Sequence, residues 1–193
     1  MNAPSTADVP NYLDHQLLIA MPGMDDPNFN RGVTLMCQHN ADGALGITIN
    51  RPSNFSVLDV LSQLGIDCKN SQLGIQPVLE GGPVHRERGF VLHEPGQEWE
   101  SSVALSDRLQ LTTSRDILQA IGRGEGPTRF LLALGYAGWA AGQLEEELRD
   151  NAWLLAPSDE DIVFDLPYEQ RWETAFNRIG INLSNLHSTG GHA

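Results

Sequence analysis

The fold of this chain is decided by residues 135–155, GYAGWAAGQLEEELRDNAWLL. Directly before them, residues 130–134 (FLLAL) form a continuous apolar run of strand length, which is typical of a central strand buried on both faces. Glycines then predict a loop that turns sharply or comes close to another group, and they are Gly135, Gly138 and Gly142. We interpret them as the glycines of a tight strand-to-helix crossing.

A helix and a second apolar run complete this stretch. Leu144 and Leu148 lie one turn apart, and the glutamates at 145–147 stand near the positive end of the helix dipole. Asn151 can end the helix in a left-handed conformation. The order strand, loop, helix, strand therefore organises the carboxyl-terminal half of the chain.

Working outward, the flanking segments predict paired strands. Residues 33–38 and 44–50 form an antiparallel hairpin, because Asp42-Gly43 lies in the short connection between them. Residues 76–80 and 89–93 are expected to pair with each other through Gly81-Gly82-Pro83. Further strands are expected at 15–20, 103–105 and 109–112, and residues 161–164 form either a strand or a helical turn.

Three more helices are indicated by their capping residues. Ser56 and Asp59 form a capping pair for a helix over 56–64. Thr113 or Ser114 begins another, and Pro167 suits the first turn of the last. Without a repeat or a composition break, the pattern predicts a single domain over 1–193 of mixed α and β structure, mostly antiparallel, with flexible segments at 1–11 and 182–193.

Composition excludes several functions. The chain of 193 residues has 12 Lys+Arg against 25 Asp+Glu, a net charge of −13, so direct binding to nucleic acid is not expected. The amino-terminal ten residues lack the pattern of a signal peptide, and no apolar run is long enough for a membrane span, which predicts a cytoplasmic protein. Cys37 and Cys68 are widely spaced and are expected to be reduced thiols.

No residue pattern predicts a reaction. The glycines before the 143–148 helix resemble a nucleotide-binding loop only weakly, because three glutamates at the helix start would repel a phosphate. His39, His85 and His93 lack the spacing of a metal site, and we interpret them as turn or surface residues. We therefore expect no catalytic residue, no metal and no cofactor.

Three segments combine glycine or proline with polar side chains, and loops of this kind often hold functional sites. They are residues 24–31, 80–88 and 135–143. We hypothesise that they line one shared groove for a protein segment or small ligand. Its candidate residues are Asn28, His39, Asn50, Gly81, Gly82, Arg86, Trp139, Gln143 and Glu146. Trp139 is either a partly exposed binding residue of this groove or a buried side chain that fills the sheet.

The separated motifs of the chain resemble those of the YqgE/AlgH family of small bacterial proteins over nearly its whole length. The matching segments are LLIAMPGMDDPNF (17–29), HNADGALGITINRP (39–52), EGGPVHRERGFVLH (80–93), TTSRDIL (112–118), LGYAGWAAGQLEEEL (134–148), NAWL (151–154) and the closing Gly191-His192-Ala193. Two positions depart from the family pattern: Gln38 stands where relatives carry Glu, and Arg51 where some carry Lys.

The resemblance implies an α+β fold whose bent, mostly antiparallel mixed sheet curls into a partial barrel flanked by helices. It implies no catalytic residues. In one lineage the family is linked to alginate synthesis, and this is the origin of its transcriptional-regulator label. A net charge of −13 disfavours direct contact with DNA, so the resemblance implies at most an indirect regulatory role. Two functions remain: a cytosolic interaction or regulatory protein without catalysis, whose partner is unknown, and an enzyme or ligand-binding protein that uses the groove between the three loops.

Overall fold

The computed structural model describes residues 13–187, which form ten strands and five α-helices. The strands are β1 (Gln16–Ala20), β2 (Val33–Asn40), β3 (Gly43–Thr48), β4 (Pro52–Ser56), β5 (Pro77–Glu80), β6 (Val84–His93), β7 (Ser102–Ser106), β8 (Leu109–Thr112), β9 (Phe130–Ala140) and β10 (Trp153–Pro157). The helices are α1 (Val57–Gln63), α2 (Arg115–Arg123), α3 (Gln143–Arg149), α4 (Tyr168–Arg178) and α5 (Leu183–His187). A 3₁₀ turn at Ser71–Gly74 and a π-helical turn at Asp161–Asp165 complete the order.

Eight strands follow one another across the sheet in the order β10-β1-β2-β3-β9-β6-β8-β7. The sheet curls into a half-barrel, and all pairs along this path are antiparallel. Strands β4 and β5 lie off this path, and β5 pairs with β9 in parallel. This arrangement confirms the α+β fold with a bent, mostly antiparallel mixed sheet.

Strand β9 joins the two halves of the sheet. Its first half lies between β5 and β6, and its second half pairs with β3 from Ala137 to Ala140. The prediction of a central strand at 130–134 is confirmed, because this run is paired on both edges and Leu132 is 1% exposed. The predicted loop at 135–142 was wrong, since the strand continues to Ala140.

Gly135 explains why sequence pattern alone ends this strand too early. Its φ of 76° lies in the left-handed region, which bends the chain while leaving both flanking segments in the sheet. After β9, Gly142 occupies the position before α3, and Asn151 after that helix has a φ of 57°. The predicted left-handed helix end at Asn151 is therefore confirmed.

The β2–β3 hairpin is confirmed, with a tighter turn than expected. Asn40 pairs with Gly43, so only Ala41 and Asp42 connect the strands. The predicted pairing of β5 with β6 was wrong, because the two strands lie on opposite edges of β9. The Gly-Gly-Pro sequence between β5 and β6 predicts a hairpin turn. In the structure this segment instead carries the chain across β9, so that β6 pairs with the opposite edge of that strand.

Both faces of the sheet are covered. Helix α4 packs Trp172 and Phe176 on one face, with Leu35 and Leu92 among the buried strand residues there. Helices α1 and α2 cover β9 and β6 on the other face, where they bury residues that include Leu61, Ile117 and Leu132. These helices leave part of the second face open, and that opening positions the candidate site.

The helix predictions are largely confirmed. Ser56 and Asp59 form the predicted capping box of α1. Ser114 precedes α2, but its hydroxyl donates to the Asp116 carboxylate at 2.5 Å instead of capping the helix. The alternative of a helical turn at 161–164 is confirmed. Of the segments expected to be flexible, 1–11 and 188–193 lie outside the described residues, whereas 183–187 form α5.

Candidate functional site

A cleft of about 210 Å³ lies between the 24–31 loop, strand β4 and the 81–86 segment, and we call it the first cleft. Leu79 and Leu134 form its apolar base. The remaining residues that line it are Pro27, Asn28, Arg51, Ser53, Phe55, Glu80, Gly82, Pro83 and Arg86. Two arginines and one glutamate give this lining a net charge of +1, in a chain whose net charge is −13.

Arg51 fixes one side of the first cleft. Its guanidinium donates to the carbonyl oxygens of Pro27 at 3.0 Å and Asn30 at 2.5 Å. Its Nε is buried and has no hydrogen-bond partner within residues 13–187. Burial lowers the pKa of Arg51, while Glu80 and Asp26 act in the opposite direction. The guanidinium is thus a charged donor held in place by backbone groups, with one N–H that no described atom satisfies.

Asn50 holds the same loop from the end of β3. Its side-chain oxygen accepts from the Val33 N–H at 2.9 Å, and its amide donates to the Arg31 carbonyl at 2.8 Å. Within the loop, the Asn28 N–H donates to the Asp26 carboxylate at 2.9 Å. Asn50 therefore does not line the first cleft, but it positions the loop that does.

The opposite side of the first cleft requires glycine. Gly81 donates to the Leu134 carbonyl and accepts from the Thr48 N–H, both at 2.8 Å, so it joins β9 to the end of β3. A Cβ on Gly82 would lie 2.1 Å from the backbone of Tyr136. Only glycine permits this close approach, and the next residues then turn outward towards Arg86.

That outward turn is an irregularity in β6, which we call the 85–88 bulge. Val84 pairs with Tyr136 and Gly89 pairs with Leu134, so four residues of β6 stand opposite Gly135 alone. The four residues are His-Arg-Glu-Arg, all are exposed, and His85 has a φ of 45°. The bulge therefore projects charged side chains beside the first cleft without interrupting the sheet.

A second cleft has a volume of about 440 Å³, and Glu87 of the bulge lines it. It shares Leu134 with the first cleft, helix α1 supplies Val60, and Leu64 follows directly after that helix. The other lining residues are Gln63, Glu87, Gly89, Val91, Thr112, Thr113, Ser114, Arg115, Leu118 and Leu132. Its base is therefore mostly leucine and valine, and the charged residues in the described part of its lining are Arg115 and Glu87.

The structure brings together some of the predicted groove residues and separates others. Asn28, Gly82 and Arg86 line the first cleft, and Gly81 lies directly behind it. Trp139 and His39 belong to a different region, around the start of α3. The 135–143 segment is therefore not a third loop of the same groove, because most of it is strand β9.

Trp139 is buried, with 5% of its surface exposed, which supports the alternative that it fills the sheet. It forms an aromatic cluster with Phe29 and Trp153, at centroid distances of 6.2 and 6.0 Å. Both indole N–H groups donate to Glu147 Oε2, at 2.9 and 2.8 Å. Gln143 donates to the other oxygen of Glu147 at 3.0 Å. The predicted residues on α3, Gln143 and Glu146, are both exposed, and neither lines the first cleft.

The histidine predictions require correction. His39 is buried in β2; its Nδ1 accepts from the Leu13 N–H at 3.0 Å, and its Nε2 donates to Glu145 at 2.7 Å. Burial would raise the pKa of Glu145, but its own backbone N–H and His39 outweigh that effect and lower the pKa. His93 is fully buried between Thr112 and the Glu94 carbonyl, each 2.7 Å away. Only His85 is exposed as predicted.

Sequence reasoning missed Arg51, Ser53 and Phe55 as site residues. Pro52 reads as the end of a strand, and the residues after it read as a connection to α1. The sequence feature that could have identified this site is Asn50-Arg51-Pro52. Its arginine follows the buried end of a strand, within residues 39–52, which match the family motifs. An arginine in that place has the reach to hold a neighbouring loop, and the charge to bind an anionic group.

The described residues contain no group of three or more His, Cys, Asp or Glu side chains placed to hold a metal ion. Cys37 is buried and Cys68 half-buried, and both are free thiols, as expected. No helix within residues 13–187 has both the length and the apolar character needed to span a membrane.

Comparisons with known proteins agree with the fold and leave the function open. A family model described as AlgH-like matches residues 17–184. A UPF0301 protein of Methylococcus capsulatus is 58% identical over 181 residues, or 94% of this chain and 96% of that protein. The solution structure of the AlgH protein from Pseudomonas aeruginosa has a TM-score of 0.78 at 48% identity over all of both chains. A protein of Corynebacterium diphtheriae shares the fold, with a TM-score of 0.70 at 22% identity over 92% of this chain and 90% of that one.

Proposed function

This chain belongs to the AlgH-like family, and we propose that it is a cytoplasmic interaction protein without catalysis, which holds a segment of a partner protein in the first cleft. The observation that carries the proposal is the charge of that cleft. Arg51 and Arg86 line it with Glu80, while the chain as a whole is strongly acidic. A carboxylate of the partner would be attracted to this position and repelled from most of the remaining surface.

The shape of the cleft also favours a side chain of a larger partner. At about 210 Å³ it is smaller than the clefts of roughly 300–1,000 Å³ that enclose typical small ligands. Phe55 stands at its edge with 54% of its surface exposed, a position suited to contact with a partner surface. The alternative, an enzyme or small-ligand binder, has less support, because the described residues that line this cleft include Glu80 and Ser53 but no histidine or cysteine.

Any regulatory role would be indirect under this proposal. The protein would bind another protein through an acidic side chain of that partner, and would change transcription only through it. The positive charge available is too small for direct contact with a nucleic acid backbone.

Site-specific photo-crosslinking in cells tests the proposal. A photoreactive phenylalanine analogue replaces Phe55 at the edge of the cleft, and a matched control carries it at Ile75, which is 79% exposed outside the cleft. We expect a discrete covalent adduct with another protein from position 55 only. Arg86→Glu should abolish the adduct, while Arg123→Ala, which removes a distant positive charge, should not.

Two outcomes would contradict the proposal. Equal adducts from positions 55 and 75 would show that the cleft has no preference for a partner. An adduct that survives Arg86→Glu at full yield would show that the charge of the cleft does not select the partner.

A further inference from the structure

The first and second clefts meet at one residue of β9. Leu134 of β9 lines both, and Leu132, two residues earlier on the same face of the strand, lines the second. The β4–α1 unit forms one side of both clefts, through Phe55 in the first and Leu64 in the second. The 85–88 bulge forms the other side, through Arg86 and Glu87.

We propose that the two clefts are one continuous groove, which holds a single extended segment of a partner protein. This inference rests on the proposed function and adds the chemistry of the partner. The segment carries a carboxylate at the Arg51–Arg86 end and an apolar side chain at the end formed by Val91, Leu118 and Leu132.

The two ends of the groove differ in charge and polarity, and this difference sets the orientation of the bound segment. The first cleft has two arginines and one glutamate, whereas the second has Arg115 balanced by Glu87. Arg115 donates to the Leu64 carbonyl, just as Arg51 donates to the carbonyls of Pro27 and Asn30, so the two clefts differ in net charge and not in their use of arginine donors. A partner carboxylate is therefore favoured at the first cleft and gains little at the second.

The second cleft instead provides apolar contact. Val60 and Leu118 are partly buried against the core formed by α1 and α2, and Leu64, which also lines this cleft, is 38% exposed. A leucine, isoleucine or phenylalanine of the partner would cover this surface and bury its apolar area.

The spacing in the partner follows from strand geometry. Leu134 lies two positions after Leu132 on β9, and an extended chain advances about 3.3 Å per residue. The carboxylate and the apolar side chain are therefore expected about two to four residues apart.

Peptide selection on the full chain tests this inference. Peptides enriched from a random dodecapeptide library displayed on phage are synthesised with fluorescein, and these are the probes in polarisation titrations. We expect enriched sequences with Asp or Glu about two to four residues from Leu, Ile or Phe. Arg86→Ala and Leu64→Glu should each weaken the same peptide by about tenfold or more. Arg123→Ala should leave its affinity within about twofold.

The outcomes separate this inference from the proposed function. If Arg86→Ala weakens the peptides and Leu64→Glu does not, the occupant is confined to the first cleft, and the continuous groove is refuted while the proposed function stands. If neither variant weakens them, or succinate binds while no peptide is enriched, both are refuted. Gln63→Arg, at an exposed position of α1, blocks the second cleft independently if Leu64→Glu lowers the melting temperature.

Discussion

Arg171 of α4 donates from Nη1 to the carbonyl oxygen of Ile49 at 2.6 Å, which ties the last long helix to the end of β3. The side chain is 1% exposed, and its Nε donates to the Leu166 carbonyl at 3.1 Å. Its guanidinium also lies 4.5 Å from the ring centroid of Tyr168. Burial lowers the pKa of Arg171 to about 10, so it remains charged at neutral pH. The position next to Ile49 is Asn50, which holds the 24–31 loop.

Arg171→Met is expected to lower the free energy of unfolding by about 2–4 kcal/mol, because two buried carbonyl oxygens lose a charged donor. Arg178→Ala on the same helix is the matched control and should cost less than about 1 kcal/mol, since Arg178 lies in a solvent-accessible ion pair with Asp159. Urea denaturation followed by circular dichroism measures both. Equal costs for the two variants would show that the Ile49 contact does not stabilise the fold.

Glu147→Ala is expected to cost about 2–4 kcal/mol, because two buried indole N–H groups would lose their acceptor. Glu147→Gln should keep most of the stability, since its amide oxygen still accepts. Glu146→Ala, one position away and exposed, should change the free energy of unfolding by less than about 0.5 kcal/mol. Urea denaturation separates the three variants, and a Glu147→Ala variant as stable as Glu146→Ala would contradict the role of this carboxylate.

His93 predicts a loss of stability at mildly acidic pH. Burial lowers its pKa below the ordinary value of 6.5, and its hydrogen bond to Glu94 opposes that effect only in part. Below pH 6.5 the unfolded chain therefore takes up a proton that the folded chain does not. This contribution to stability is fully present above pH 6.5 and is lost as pH falls towards the folded pKa.

The test is the slope of unfolding free energy against pH between about 6.5 and 5, above the range where carboxylates titrate. His93→Gln should make this slope shallower, whatever its effect on absolute stability. Parallel slopes for wild type and His93→Gln would rule out His93 as the titrating group.

We expect no specific binding to duplex DNA at physiological salt, because the chain has 12 basic against 25 acidic residues. Mobility-shift titrations against genomic fragments provide the measurement. A sub-micromolar complex that weakens steeply as salt increases would overturn this prediction and the indirect regulatory role with it.

Elements set by local chemistry could be predicted from the sequence. The hairpin at Asp42-Gly43, the capping box of Ser56 and Asp59, and the helix end at Asn151 each depend on residues close together in the chain. Their conformational preferences act within a few residues, so they survive into the folded structure.

Features that depend on distant partners could not be predicted. Glycines at 135 and 138 have the pattern of a loop, but β3 and β6 pair with the chain there and hold it in the sheet. His39 is polar and was therefore expected at a turn. In the structure it is buried, because Glu145, more than a hundred residues later, accepts a hydrogen bond from its imidazole. The first cleft was only partly predicted for the same reason, since Arg51 reaches a loop more than twenty residues earlier.

The position of β9 in the sheet also determines the order in which the sheet can form during synthesis. Strands β3, β5 and β6 all leave the ribosome before their shared partner, and each pairs with it along at least part of an edge. At about 5–20 residues per second, several seconds pass before residues 130–140 emerge. During that interval apolar strand edges of the nascent chain stand open. The step that completes the sheet is therefore late and non-local, which favours slow folding and a need for protection from aggregation until β9 arrives.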